Sequence, residues 1–234
     1  MNLSWIEDAK RNAVLKAIQP IRNGWIIGLG SGSTVGYAVK ELARLRRDRR
    51  FQISVVPTSY QIEHLSTSNG LTTISLSEVA CVDYAIDGAD QVEEDTLNLV
   101  KGGGGALLRE KLVDSASREL AIVVDESKLS KHLGGKQHIP LEVLPLAHKY
   151  VQSVVAKMGG RARLRESLGK AGPVITDNGN FILDADFGKI QNPAQLERRL
   201  QAVPGLLETG LFTGLRKRVY VGLRAGGVKI LKTQ

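Results

Sequence analysis

A single cysteine, Cys81, stands among 234 residues, so no disulfide can form within the chain and no thiolate cluster can hold a metal. The four histidines, His64, His132, His138 and His148, show no zinc-ligand spacing, and no EF-hand pattern is present. Long apolar runs are missing too. The longest strictly apolar stretch is Leu120 to Val124, against the roughly 20 residues that a membrane-spanning helix needs. Near the N-terminus Glu7 and Asp8 stand where a secretory signal would be apolar, so a cytoplasmic protein with no membrane partner is expected. Disorder is excluded for most of the length, because 42% of the residues are hydrophobic and they are spread throughout.

Two things are abundant. The chain has 25 glycines, more than the roughly 7% of ordinary composition, and a formal net charge of +8. Residues 44–50 hold five arginines and one aspartate, half of that excess. Such a run raises the question of a nucleic-acid partner, but no aromatic residues interleave with it. It falls at the C-terminal end of a predicted helix, where cations offset the helix dipole. No nucleic-acid partner is expected.

The apolar pattern alternates. A helix is predicted to Ile18, a strand over Trp25 to Gly30, and a helix opening at Ser31-Gly32-Ser33-Thr34. Strands follow at Ile53 to Val56, Leu71 to Ile74, Asp83 to Ile86, Leu97 to Val100 and Leu120 to Val124, with helices at Ser59 to Leu65 and Ala106 to Val113. That alternation predicts a doubly wound parallel α/β sheet. After Gly134-Gly135 the order becomes strand, helix, strand, strand, helix, strand, with Asp177-Asn178-Gly179-Asn180 as a hairpin turn between Val174 to Thr176 and Phe181 to Leu183, and one strand over Leu206 to Phe212. This is the split β-α-β of a ferredoxin-like α+β domain. The expected division is 1–133 plus 212–234 for the parallel domain and 134–211 for the insert.

Three clusters could carry chemistry. Gly28-Leu29-Gly30-Ser31-Gly32-Ser33-Thr34 joins a strand to a helix, and its backbone N–H groups favour an anion. No acid closes the second strand and no Walker lysine follows, so a small phosphate ester fits better than a nucleotide. Asp87-Gly88-Ala89-Asp90 puts two carboxylates just past a buried strand, at the sheet edge where open α/β folds bind ligands. Glu93, Glu94 and Asp95 read as solvated surface. Lys101-Gly102-Gly103-Gly104-Gly105 is a costly run of glycines between a strand and a helix, and forms a backbone nest. Glu110 lies in the early turns of that helix. A lone helical glutamate is usually solvated; the company of Lys101, Asp87 and the glycine turn at one sheet edge marks this one out.

Taken in order, Gly-Leu-Gly-Ser-Gly-Ser-Thr, Asp-Gly-Ala-Asp, Lys-Gly-Gly-Gly with a downstream Arg-Glu-Lys, and Asp125-Glu126-Ser127-Lys128 resemble the type A ribose-5-phosphate isomerases across nearly the whole chain. The resemblance implies a Rossmann-like domain with a ferredoxin-like insert, a sugar-phosphate substrate, no cofactor or metal, and a homo-oligomer, dimer or tetramer. It implies Glu110 as the base between C1 and C2, Asp87 and Asp90 on the sugar oxygens, and Lys101 with Gly102, Gly103 and Gly104 stabilising an enediolate. Lys10, Ser31, Gly32, Ser33, Thr34 and Lys128 would bind the phosphate, with Gly88 and Ala89 also lining the substrate. Gly105 and Leu108 depart from the family's pattern. The chemistry agrees: one carboxylate can move a proton between adjacent carbons, while donors and a cation meet the charge that develops on oxygen. The alternatives are a sugar-phosphate deaminase or sensor on a related fold, or a basic nucleic-acid-binding protein.

Overall fold

Strand Ile26–Leu29 shows how the sequence builds the sheet: Ile27 and Leu29 are fully buried on one face, while Ile26 and Gly28 point to the other. The computed structural model describes residues 4–49, 51–135, 137–167, 169 and 171–233. In chain order it begins α1 (Ser4–Ala17), β1 (Ile26–Leu29), α2 (Ser33–Arg49), β2 (Ser54–Pro57), α3 (Tyr60–Ser68), β3 (Thr72–Thr73) and β4 (Val82–Asp87). Then come β5 (Gln91–Glu93), β6 (Leu99–Val100), α4 (Leu107–Ser115), β7 (Ser117–Asp125), β8 (Leu129–Ser130), β9 (Ile139–Val143) and α5 (His148–Lys157). The chain closes with β10 (Arg161–Leu164), β11 (Phe181–Asp186), α6 (Pro193–Gln201), β12 (Leu206–Thr209), β13 (Leu211–Phe212), β14 (Arg218–Gly222) and β15 (Val228–Lys232). Two compact units result: Met1–Ala89, Arg109–Lys128 and Leu215–Gln234 form the first, Asp90–Leu108 and Leu129–Gly214 the second.

The first unit is a seven-stranded sheet in the order β15-β14-β7-β4-β1-β2-β3, parallel throughout except for the β14–β15 hairpin. Helices α1 and α2 contribute Val14, Val39 and Leu42 to a core with Ile27, Leu29, Tyr84, Ile86 and Val123. On the opposite face Val113 of α4 packs with Val56 and Val82. Each such aliphatic side chain, fully buried, stabilises the fold by about 1.5–3 kcal/mol. Gly28 brings α4 close, since a Cβ there would lie 2.5 Å from Val113 Cγ1. The strands step outward from β1 to β3, then β4 returns to the other side of β1. The order therefore reverses between β1 and β4, the point at which open α/β sheets hold ligands at the carboxyl ends of their strands. This is the doubly wound, Rossmann-like fold that was expected.

In the second unit β10-β11-β9-β12 form an antiparallel sheet, the strand order of a ferredoxin-like fold. Val151 and Val155 of α5 and Leu200 of α6 share its core with Leu141, Val143 and Leu183. Asn192 caps α6 by accepting the Gln195 N–H at 3.0 Å, and Pro193 occupies the first helical position. A second sheet, β13-β6-β5-β8, belongs to the same unit. Because these short strands pair with one another, residues 90–108, 129–133 and 212–214 group with the insert and not with the parallel domain to which the sequence reading gives them.

Several local expectations need correction. The single strand over Leu206 to Phe212 is two strands in different sheets, divided at Gly210. Of Leu97 to Val100 only Leu99–Val100 is strand, because Leu97 takes a left-handed φ of 57° in a turn. Leu71 to Ile74 shortens to two paired residues, Thr72 and Thr73. Val174 to Thr176 pairs only through an Ile175–Phe181 bridge, although the turn closes as expected with Thr176 N–H on Asn180 O at 2.9 Å. Glu93 is buried and accepts from Thr96 Oγ1 and Asn98 Nδ2, whereas Glu94 and Asp95 are exposed. Within the arginine run Arg44 bonds Glu41 and Asp48, and Arg50 lies outside the described residues. Among the described residues no helix is long and apolar enough to cross a membrane.

Candidate active site

In the first unit the glycine turn leaves β1 with Gly30 N–H on Ile86 O at 2.9 Å, and Ser31 and Gly32 lead directly into α2. The N-terminus of this helix turns N–H groups and a positive dipole end toward the turn, a setting that favours a phosphate. Ser33 and Thr34 are the first two residues of the helix. Ser31 Oγ sits 2.8 Å from Thr58 Oγ1 and 2.8 Å from Ser59 Oγ, both just past the end of β2. Ser59 in turn caps α3, and Gln61 Oε1 accepts the Gly32 N–H at 3.2 Å. From α1, Lys10 Nζ reaches to 3.4 Å from Ser33 Oγ and donates to Glu7 Oε1 at 2.9 Å. Tyr37 donates to the other oxygen of Glu7 at 2.7 Å. The hydrogen bond from Lys10, then that from Tyr37, holds the Glu7 carboxyl below the usual range, and Glu7 pushes the Tyr37 hydroxyl up.

Asp87 and Glu110 are among the buried carboxylates of this unit. Asp87, the last residue of β4, has no exposed surface, and its Oδ1 accepts the Gly88 N–H at 2.6 Å. Glu110, in the first turn of α4, is 4% exposed, and Ser31 N–H lies 3.3 Å from its Oε1. The usual solvated helical glutamate is therefore not what the fold produces. Gly88 and Ala89 carry the chain out of β4. Lys128 ends the short turn Glu126–Lys128 that follows β7, at the same carboxyl edge of the sheet, and is half-buried.

The second unit holds the remaining residues. Asp90 N–H donates to Val100 O at 2.8 Å, and Asp90 Oδ2 accepts the Gly103 N–H at 2.8 Å. A Cβ on Gly103 would lie 2.7 Å from Asp90 Oδ1, so a side chain here would push the Asp90 carboxylate aside. Gly102 has a φ of 96°, and a Cβ there would press on Leu107 and Pro140 at 3.0 and 3.1 Å. Lys101 is 2% exposed, with its Nζ 5.5 Å from the Phe212 ring centroid and its N–H on Gly210 O at 2.9 Å. The Arg165 guanidinium donates through Nη1 to Gly102 O at 3.1 Å and Gly103 O at 2.9 Å. Its Nε and Nη2 fork onto the Asp184 carboxylate.

The expected residues thus fall into two groups. Lys10, Ser31, Gly32, Ser33, Thr34, Asp87, Gly88, Ala89, Glu110 and Lys128 belong to the first unit, and Asp90, Lys101, Gly102, Gly103 and Gly104 to the second. The structure adds Thr58, Ser59 and Gln61, which hold the glycine turn, and Arg165 with Asp184, which hold the glycine run. Thr58 and Ser59 could have been found from position alone, since they follow the strand next to β1 at its carboxyl end. Arg165 carried no signal, standing 62 residues from its nearer glycine partner. Among the described residues no group of three or more His, Cys, Asp and Glu could hold a metal ion.

Comparison with known proteins places these features in context. A family described as ribose 5-phosphate isomerase A (phosphoriboisomerase A) matches residues 54–226. Ribose-5-phosphate isomerase A of Methanothermobacter thermautotrophicus is 45% identical over 223 residues, 95% of this chain and 97% of that protein. The structure of ribose 5-phosphate isomerase A from Methanocaldococcus jannaschii superposes with a TM-score of 0.93 at 42% identity, covering 97% of this chain and 99% of that one. A D-ribose-5-phosphate isomerase in complex with phospho-erythronic acid gives a TM-score of 0.94 at 40% identity, over 99% of this chain and all of that one.

Proposed function

The chain belongs to the ribose 5-phosphate isomerase A family and interconverts D-ribose 5-phosphate and D-ribulose 5-phosphate, and we propose that its buried Glu110 is the base that moves the proton. In the open-chain aldose the Glu110 carboxylate takes the proton from C2, the electron pair forms the C1–C2 double bond, and charge passes to the C1 oxygen. The same carboxyl returns its proton to C1 as the C2 hydroxyl becomes the ketone, its own proton passing to the C1 oxygen to leave the C1 hydroxyl of the ketose. Asp87 and Asp90 manage the sugar hydroxyl protons, including that of ring opening. Lys101 and the glycine nest Gly102 to Gly104 stabilise the enediolate, an electrostatic service typically worth about 2.7–4 kcal/mol per donor. Ser31, Gly32, Ser33 and Thr34 bind the phosphate with Lys10 and Lys128, and Gly88 and Ala89 line the substrate.

One observation carries this reading. The Ser31 N–H on Glu110 ties the base to the turn that opens α2, so an anchored phosphate and the proton-transferring carboxylate share one rigid reference. Because a carboxylate and a lysine supply the acid, base and cation, no metal is needed. The test is to supply ribose 5-phosphate with excess EDTA and follow ribulose 5-phosphate. Full turnover is expected; a rate abolished by EDTA and restored by a divalent cation would overturn the metal-free route.

We further propose a cytoplasmic homo-oligomer, dimer or tetramer. Exposed Leu144, Leu146, Tyr150 and Leu207 on the second unit, with Leu146 at 90% exposure, support self-association. Light scattering with size exclusion should give two or four chain masses.

A further inference from the structure

We propose that Arg165 is a positioning residue for the isomerisation, setting the direction of the Gly103 and Gly104 amides through their carbonyl sides. This rests on the reading that Lys101 and the glycine run stabilise the enediolate. Successive glycines have no side chains to hold them and the widest choice of backbone conformation, so donors built from them need a restraint from outside. In a trans peptide the carbonyl of one residue and the N–H of the next point in opposite directions, and no peptide bond among the described residues is cis. Arg165 Nη1 holds both the Gly102 and the Gly103 carbonyl oxygens. It thereby turns the Gly103 and Gly104 N–H groups the other way. The direction of the first is visible: Gly103 N–H meets Asp90 Oδ2 at 2.8 Å. The second peptide is aimed by the same nitrogen, and its N–H is the donor available to a developing oxyanion.

The guanidinium is itself fixed. Nε donates to Asp184 Oδ2 at 2.8 Å while Nη2 bonds Oδ1, a two-pronged pairing that fixes the plane of the group. Asp184 lies on β11, in the middle of the antiparallel sheet, so the nest takes its orientation from a packed element. The positive charge on the carbonyl side also polarises both peptides and strengthens their N–H groups as donors. A lysine has a single nitrogen and cannot serve the Asp184 fork and both carbonyls in this geometry.

Restraining donors that matter only as charge develops should alter kcat more than substrate binding. The test measures Arg165→Lys and Asp184→Asn alongside Lys101→Met. It follows kcat and KM for ribose 5-phosphate, and inhibition by phospho-erythronic acid and by inorganic phosphate. We expect Arg165→Lys to lower kcat by about tenfold to a hundredfold, with KM within about twofold. Phospho-erythronic acid should weaken in step with kcat/KM, while inorganic phosphate is unaffected. Asp184→Asn, which keeps the guanidinium and loosens its fork, should show the same pattern to a smaller degree and covers the case in which Arg165→Lys does not fold. Wild-type kcat in Arg165→Lys with an inactive Lys101→Met would overturn the proposal alone. A joint loss of kcat, KM and phosphate affinity would make Arg165 merely structural and overturn it too. A fully active Lys101→Met would instead remove the underlying reading.

Discussion

The Asp87 carboxylate occupies the space that a side chain on Gly30 would fill: a Cβ at Gly30 would stand 1.8 Å from Asp87 Oδ1. The glycine at the end of β1 therefore serves the acid on the neighbouring strand as well as the turn that follows. Gly30→Ala must displace Asp87 or bend β1, a clash of the kind that costs about 1–3 kcal/mol. Its urea midpoint should fall, and kcat/KM should drop about tenfold or more in enzyme that remains folded. A variant with wild-type kinetics would show that the placement of Asp87 does not matter to the reaction.

Glu110→Gln removes the proton carrier and keeps its size. Turnover should fall by about 10²–10⁴-fold, the range for general acid–base groups, while calorimetry still detects ribose 5-phosphate binding. An active Glu110→Gln would take the base assignment away from this residue.

Lys10 approaches the phosphate turn through Ser33 and is steadied by Glu7. Lys10→Ala should raise KM by about tenfold, the effect of losing one charge-assisted hydrogen bond, and leave kcat nearly intact. An unchanged KM would exclude Lys10 from phosphate binding.

The Glu7 carboxyl titrates below its ordinary value of 4.5, because first the Lys10 and then the Tyr37 hydrogen bond favours its ionised form. Its contribution to stability is therefore present above pH 4.5 and is lost as pH falls through the lower folded value. Both groups are near solvent, so the contribution is small. Carbon-detected NMR of Glu7 should give a midpoint below 4.5, moving up toward it in Lys10→Met. A midpoint unmoved by that substitution would mean that the pair does not persist in solution.

Gly105 holds a φ of 79°, and a Cβ there would meet only Ile182 Cγ1 at 3.9 Å. Space is adequate; backbone conformation is not. Gly105→Ala should cost about 1–2 kcal/mol, the penalty for a left-handed residue with a side chain, read as a lower melting temperature. An unaltered melting temperature would show that the loop relaxes freely. No contact in the structure explains Leu108 at the other departing position.

Much of this architecture was legible because local patterns agreed with the global fold. Short apolar strands alternating with helices fix the parallel sheet, and Asn178-Gly179 between two strand-like triplets marks the turn into β11. Residues whose roles depend on contacts remote in sequence were not legible. Arg165 carries no mark of its role in the sequence, and Glu93 reads as solvated charge. Gly210 hid for the same reason: Leu206 to Phe212 has the composition of one strand, and only the pairing of its two halves with β9 and β6 reveals the break.

That break has a consequence for how this protein could be re-engineered. Gly210 gives its N–H to Pro140 O at 2.7 Å and takes the Lys101 N–H on its carbonyl, so one residue splices the backbone of the insert to that of the lysine. A Cβ at Gly210 would lie 2.4 Å from Lys101 O, which leaves no slack in the splice. The ferredoxin-like portion is thus no detachable ornament. Excising it, or swapping in another with a side chain at this crossing, would strip Lys101 of its backbone anchor.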